Sequence, residues 1–228
     1  MAERRYSVPS ASAELPAPTP SESENTKTAV GKGSEGVETL LDRYAAAHPP
    51  GRPFFGLPSR AGSTVFLIDI SGSMLQRQGP ATRLDLAYDE LKQTLATLPE
   101  QSLFNVLLFA ERVDQLFPQP QPASRANLIR AFRYLDEDIN CGGSTDLQQG
   151  LRRAMAMKPE LLLVLSDGIP TSSSPRSLLS EARYLREKNR PSLRLHTIGF
   201  FLAEHSEEER FLQKLAQDNN GIYAAWRR

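Results

Sequence analysis

The stretch Val65-Phe66-Leu67-Ile68-Asp69-Ile70-Ser71-Gly72-Ser73 joins an unbroken apolar run to a tight turn carrying one carboxylate and two hydroxyls. A short apolar run that ends in turn formers predicts a strand buried on both faces. Open α/β sheets place their ligands at the carboxyl ends of such strands. A cluster of oxygen donors at that position suits a hard divalent cation.

From about residue 62 onward, strands and helices alternate. Further strands are predicted over 103–109, 161–165, 193–200 and 222–226, all rich in apolar residues. The segment 112–117 alternates after a very short connection and is stopped by Pro118, which reads as an antiparallel edge strand. Helices are predicted over 82–98, 124–135 and 146–157. In the first, Leu84, Tyr88, Leu91, Leu95 and Leu98 recur at helical spacing; in the third, Leu147, Leu151, Ala154 and Met155 face inward. Ser174-Pro175 supplies an N-cap and a first-turn proline for a helix to about residue 188. Ser206-Glu-Glu-Glu209 reads as a capping box for a last helix that ends near Asn219-Asn220-Gly221. The expected fold is α/β and Rossmann-like: a mostly parallel six-stranded sheet with one antiparallel edge strand and helices on both faces.

Upstream the composition changes. Residues 1–33 are rich in Ser, Pro, Glu, Ala and Thr, as in Pro16-Ala-Pro18-Thr-Pro20, and are expected to form a disordered tail. A proline-motif ligand or a phosphorylation site is the functional alternative for that tail. Residues 34–61 are expected to hold a short helix and a linker, with Val37, Leu40, Leu41 and Tyr44 on one helix face and Pro49-Pro50-Gly51 ending it. The main domain is expected over 62–228.

A chain of 228 residues favours one domain plus a tail. Lys and Arg total 27, as do Asp and Glu, so net charge points to neither a nucleic acid nor a membrane partner. The single cysteine, Cys141, excludes an internal disulfide and fits a reducing compartment. The longest apolar run, 161–165, is strand-sized, and the first ten residues lack an apolar signal core. A cytoplasmic location is expected on these grounds, with an N-terminal anchor lost from the chain left open.

Two further loops match the opening turn. Cys141-Gly142-Gly143-Ser144-Thr145-Asp146 precedes a predicted helix, and Ser166-Asp167-Gly168 follows an aliphatic strand. If the strands are parallel, all three loops lie at one edge of the sheet and can converge. With these residues in place, the chain resembles a von Willebrand factor type A (vWA) domain of bacterial type bearing a metal-ion-dependent adhesion site. That family's pattern is Asp-x-Ser-x-Ser, then a Thr in a Gly-rich loop, then an Asp after a later strand. Asp69, Ser71, Ser73, Thr145 and Asp167 match it, and the resemblance spans about residues 62–226.

The resemblance implies that Ser71 and Ser73 ligate a metal through their hydroxyls. Thr145 would join directly or through water, while Asp69 and Asp167 would hold metal-bound waters and orient the serines. Mg²⁺ is the expected ion and Mn²⁺ a substitute. It further implies a protein-binding module rather than an enzyme, with an Asp or Glu of a partner completing the site. An AAA-type ATPase or an envelope protein is the partner class it suggests. The physical reading agrees: neutral hydroxyl ligands leave much of the ion's charge uncancelled, and an open position on it attracts an anionic oxygen. Two alternatives stand beside this one. A metal-assisted hydrolase would need a general base and a second metal site that the motifs do not supply. A vWA scaffold that no longer uses the metal would have kept all five positions without need.

Other features carry less. Gly31-Lys32-Gly33-Ser34-Glu35-Gly36 has the dinucleotide-binding spacing but follows no strand, so no nucleotide cofactor is expected. His48, His196 and His205 are scattered, and His196 reads as structural or exposed. Asp-Ile-Ser-Gly-Ser is not the nucleophile turn of Ser-His-Asp hydrolases. Cys141 reads as a small packed residue rather than a reactive thiol. Arg183, Arg186, Lys188, Arg190 and Arg194 read as a solvated face, with RNA binding a minor alternative that no interleaved aromatics support.

Overall fold

A computed structural model of the chain describes residues 36–59, 61–137, 141–168, 170 and 173–227. The expected disordered tail lies outside these residues, as does the Gly31-Lys32-Gly33-Ser34-Glu35 part of the glycine-rich pattern.

The central strands form where the apolar runs predict them. β1 (Ser63–Asp69) lies between β4 (Leu103–Phe109) and β7 (Leu161–Ser166), parallel to both. β8 (Arg194–Phe200) and β9 (Tyr223–Trp226) extend the parallel array beyond β7, and β5 (Val113–Gln115) pairs antiparallel with β4 at the other edge. The order is β5-β4-β1-β7-β8-β9. The six expected strands are therefore present, and a seventh, β6 (Gln121–Pro122), pairs antiparallel with the beginning of β4. β5 and β6 thus divide the outer edge of β4 between them. The buried Asn105 side chain occupies the break: it accepts hydrogen bonds from the Phe117 and Val106 N–H groups and donates to the Phe117 carbonyl at 2.8 Å. These bonds, with the Leu116 N–H donating to the Val106 carbonyl at 2.9 Å, replace the missing ladder. A small hairpin of β2 (Arg77–Gln78) and β3 (Ala81–Thr82), which hydrophobic patterning does not reveal in two-residue strands, stands after the Asp69 turn.

Helices cover both faces because successive strand residues point in opposite directions. Phe66, Ile68, Phe104, Val106, Leu163 and Ile198 belong to one buried cluster. It also holds residues of α1 (Val37–Ala47), α2 (Arg83–Leu95) and α3 (Arg125–Asp136). Val65, Leu67, Leu107, Leu162, Val164 and Leu195 belong to the other, with α4 (Leu147–Ala156), α5 (Pro175–Asn189) and α6 (Glu207–Asp218). Phe54, Phe55 and Leu57, in the expected linker, are buried in the first cluster. Phe54 meets the Phe66 ring edge-on at 5.4 Å, and Phe55 meets Phe200 and Trp226 at 5.2 and 4.9 Å.

Local signals differ from the sequence reading at α6. Ser206 caps the helix by accepting from the Glu209 N–H, but the Glu209 carboxylate turns to the His205 N–H, Tyr223 and Arg227 instead of closing the box. A reciprocal capping box forms at α2, between Thr82 and Asp85. At the end of α6 the left-handed residue is Asn220 (φ 58°), and the Gly221 N–H bonds back to the Ala216 carbonyl. This is a Schellman turn with asparagine in the position glycine usually fills.

His196 is structural, one of the two readings its sequence context allows. It is buried on β8, and its Nδ1 accepts the Ile222 N–H at 3.0 Å. Burial, helped by the Arg194 charge, holds its pKa below the usual value. The folded state therefore binds this proton less readily than the unfolded chain does. The resulting stability is fully present above about pH 6.5 and is lost as pH falls toward the folded-state pKa. The Asp69 carboxyl, raised to about 6, works in the opposite direction, so the His196 contribution is read by comparison: between pH 7.5 and pH 5 the denaturation midpoint of the wild type should fall more, or rise less, than that of His196→Asn. An equal pH response in the variant would remove His196 from this role.

Candidate metal centre

The register of the sheet builds the site. Ile68 pairs with Leu165, so Asp69 at the end of β1 stands beside Ser166 at the end of β7. The Ser166 hydroxyl donates to Asp69 Oδ2 at 2.6 Å, and Asp69 Oδ1 accepts the Ser71 N–H at 2.9 Å. Asp69 thus bends the chain back over the strand end and ties two loops together. Burial pushes its carboxyl up to about 6, against the lowering effect of the bonds from Ser166 and Ser71. In its ionised form this carboxylate, with no solvent exposure, is a costly group unless its charge is met.

Ser71 stands at the start of a short 3₁₀ turn, Gly72–Leu75, and Ser73 lies within it. Their hydroxyl oxygens are 3.3 Å apart. Adjacent ligands of a small octahedral ion, at metal–oxygen distances of about 2.0–2.1 Å, stand about 2.9 Å apart. The pair therefore needs only a slight closing to fit such an ion. The Ser73 hydroxyl donates to Asp167 Oδ1 at 2.6 Å. Asp69, Ser71, Ser73 and Asp167 are joined by this continuous set of bonds, and their side chains offer only hard oxygens to a metal.

Thr145 is buried in the third loop. Two backbone bonds fix that loop: the Gly142 N–H donates to the Ile70 carbonyl of the Asp69 loop at 3.0 Å, and the Asp146 N–H donates to the Ala110 carbonyl just after β4 at 2.8 Å. Asp146 then caps α4 by accepting from the Gln149 N–H. Beside these loops opens a cavity of about 470 Å³, lined by Ile70, Ala110, Glu111, Arg112, Asp114 and Cys141 among others. Cys141 packs against the first core cluster, and burial pushes its thiol up, the opposite of an activated thiolate. The basic residues near the end of α5 are engaged locally: Arg183 with Asp218, Arg186 with Glu187 and Arg190 with Glu160.

Two residues of the site, Ser166 and Arg83, are given no role by the sequence motifs. Ser166 was legible only as the neighbour of Asp167. Arg83, the first residue of α2, reaches Asp167 Oδ2 with its Nη1 at 2.7 Å across 84 residues of chain. Among the described residues no group of three or more His, Cys, Asp or Glu side chains is placed to hold a metal, so hydroxyls carry much of the candidate donor set. No helix among them is long and apolar enough to cross a membrane.

Comparison with known proteins agrees with this architecture. A family model described as von Willebrand factor type A domain matches residues 63–225. Human inter-alpha-trypsin inhibitor heavy chain H4 is 31% identical over 183 residues, covering 73% of this chain and 18% of its own length. Heavy chain H3 of Mesocricetus auratus is 29% identical over 184 residues, covering 73% and 19%. The chain thus spans about a fifth of the length of these curated relatives. Among solved structures, an aerotolerance-related membrane protein from Bacteroides fragilis has a TM-score of 0.56 at 17% identity, covering 72% of this chain and 91% of that one. Proximal thread matrix protein 1 from the mussel byssus, with a zinc-occupied MIDAS motif, has a TM-score of 0.51 at 15% identity, covering 72% and 43%.

Proposed function

Because the chain belongs to the von Willebrand factor type A domain family, a family of protein-interaction modules, we propose that it binds a protein partner through a divalent cation. Ser71, Ser73 and Thr145 would hold Mg²⁺, or Mn²⁺ in its place, and Asp69 and Asp167 would orient the serines and hold water on the ion. An Asp or Glu of the partner would supply the remaining oxygen. The observation that carries this reading is the bonded set Asp69–Ser71–Ser73–Asp167, in which two hydroxyls stand nearly at the spacing of adjacent ligands on a small ion. The zinc-occupied motif of the mussel byssus protein supports it as a cation site on the same fold.

Binding is favoured over hydrolysis by how the carboxylates are used. Both Asp69 oxygens and both Asp167 oxygens already accept hydrogen bonds that shape the loops. Each is thereby committed to holding ligands and ordering water on the ion, a structural role rather than that of a proton acceptor in a reaction.

Thermal melting with Mg²⁺ or with EDTA tests the cation. Ligand at about a hundred times its dissociation constant stabilises by about 2.7 kcal/mol, or roughly 5–10 °C for a domain of this size. The Ser71→Ala/Ser73→Ala variant should fold and show no such shift. Capture of partners from native lysate should depend on Mg²⁺ for the wild type and be lost in the variant. An unchanged melt, or identical captured proteins with Mg²⁺ and EDTA, would overturn the reading.

A further inference from the structure

Arg83 is placed too deliberately for a chance surface pair. The Thr82–Asp85 capping box fixes the start of α2, and the Arg83 N–H donates to the Gln76 carbonyl at 3.0 Å. From that base the guanidinium reaches Asp167 Oδ2 at 2.7 Å; the Asp167 side chain has 0% exposure and that of Arg83 15%. Phe201 stands against the guanidinium, its ring centroid 5.3 Å from the Arg83 Cζ. Phe201 has φ 57°, a left-handed conformation that a bulky residue adopts only when its surroundings enforce it, and its N–H is held by the Trp226 carbonyl at 2.8 Å. The Arg83 Nε is buried with no hydrogen-bond partner among the described residues. An orphaned buried donor costs stability.

We infer that Arg83 is a positioning residue of the cation site, an internal counter-charge that holds Asp167 on Ser73 and shifts the site's preference from the metal toward the partner's carboxylate. The inference rests on the cation-binding reading above. Two buried carboxylates, Asp69 and Asp167, would by themselves cancel the charge of a divalent ion. With Arg83 paired to one of them, a full positive charge is left over for an incoming anion. Arg83 therefore weakens the hold on the metal through like-charge repulsion and strengthens the hold on the carboxylate that completes the shell. Its grip on Asp167 Oδ2 also leaves Oδ1 facing the Ser73 hydroxyl.

Mn²⁺ titration followed by electron paramagnetic resonance, with acetate as the carboxylate probe, tests this. Arg83→Met keeps the aliphatic length and loses the charge. It should bind Mn²⁺ about tenfold more tightly, and the Mn²⁺-loaded variant should bind acetate about tenfold more weakly, read from relaxation of the acetate methyl protons. Arg83→Lys, which keeps the charge, should stay within about threefold of wild type on both measures. Should Arg83→Met not fold, Arg83→Gln keeps an N–H donor toward Asp167 without the charge and gives the same comparison. A purely structural role would lower the melting temperature without tightening Mn²⁺. Wild-type Mn²⁺ affinity in the uncharged variants, or weaker affinity, would overturn the inference alone. A wild type that binds no Mn²⁺ would overturn the cation reading and this inference with it.

Discussion

Gly221→Ala should leave little or no folded protein. Gly221 follows α6 at the turn into β9, and a Cβ built there would lie 1.6 Å from the Leu195 carbonyl oxygen and 2.4 Å from its carbon. Both atoms are backbone of β8, a strand paired on both sides, so no rotamer change relieves the overlap. The turn cannot retreat without breaking two bonds: the Gly221 N–H to the Ala216 carbonyl and the Leu195 N–H to the Asn219 carbonyl. A cost above about 4 kcal/mol follows, a large part of the 5–15 kcal/mol that holds a typical domain together. The melting temperature should fall by more than about 10 °C, or the protein should be recovered only as aggregate. Asn220→Gly, one residue earlier, is the contrasting control. It places glycine where the backbone is left-handed and should change stability by no more than about 1 kcal/mol. Comparable melts for Gly221→Ala and wild type would contradict the close approach of this turn to β8.

Phe54→Ala carries the second large effect. Phe54 has no solvent exposure, and its ring packs edge-on against Phe55 and against Phe66 of β1. Removing such a ring typically costs 3–5 kcal/mol, through lost burial and the cavity left behind. For a domain of this size that is a fall of roughly 6–20 °C in melting temperature. The family match begins only at residue 63, so this segment lies outside the shared pattern while filling its core. A chain shortened to begin at residue 62 should therefore be less stable than one beginning at residue 36, by at least as much as Phe54→Ala. Equal melting temperatures for the two lengths would show that residues 36–59 are dispensable.

Most of the fold is legible in the sequence because its signals are local. An apolar run of six or seven residues between turn formers has few alternatives to a buried parallel strand, and helical spacing marks the faces of α2 and α4. The Asp69, Thr145 and Asp167 loops could be brought together on paper because parallel strands put their ends at one edge of the sheet. What escaped depends on distances that no spacing encodes. β6 is two residues long and contains a proline, so it has no periodicity to read. Asn220 takes the left-handed position because Gly221 is needed one step later, where β8 comes close. Arg83 looks like an ordinary first-turn residue, and only the folded sheet shows that its charge ends on Asp167. Phe54 and Phe55 sit among prolines and glycines, which disguised core residues as a linker.

The divided edge of β4 bears on how this domain can meet another protein. Many binding modules recruit a partner by letting its extended chain join the sheet as one more strand. That requires a long, straight row of free backbone groups. Here one border is split into a three-residue and a two-residue piece, the second containing Pro122, and the other is a four-residue strand followed by Arg227. Neither offers a template of useful length, which protects the molecule against stacking on its own copies through the sheet.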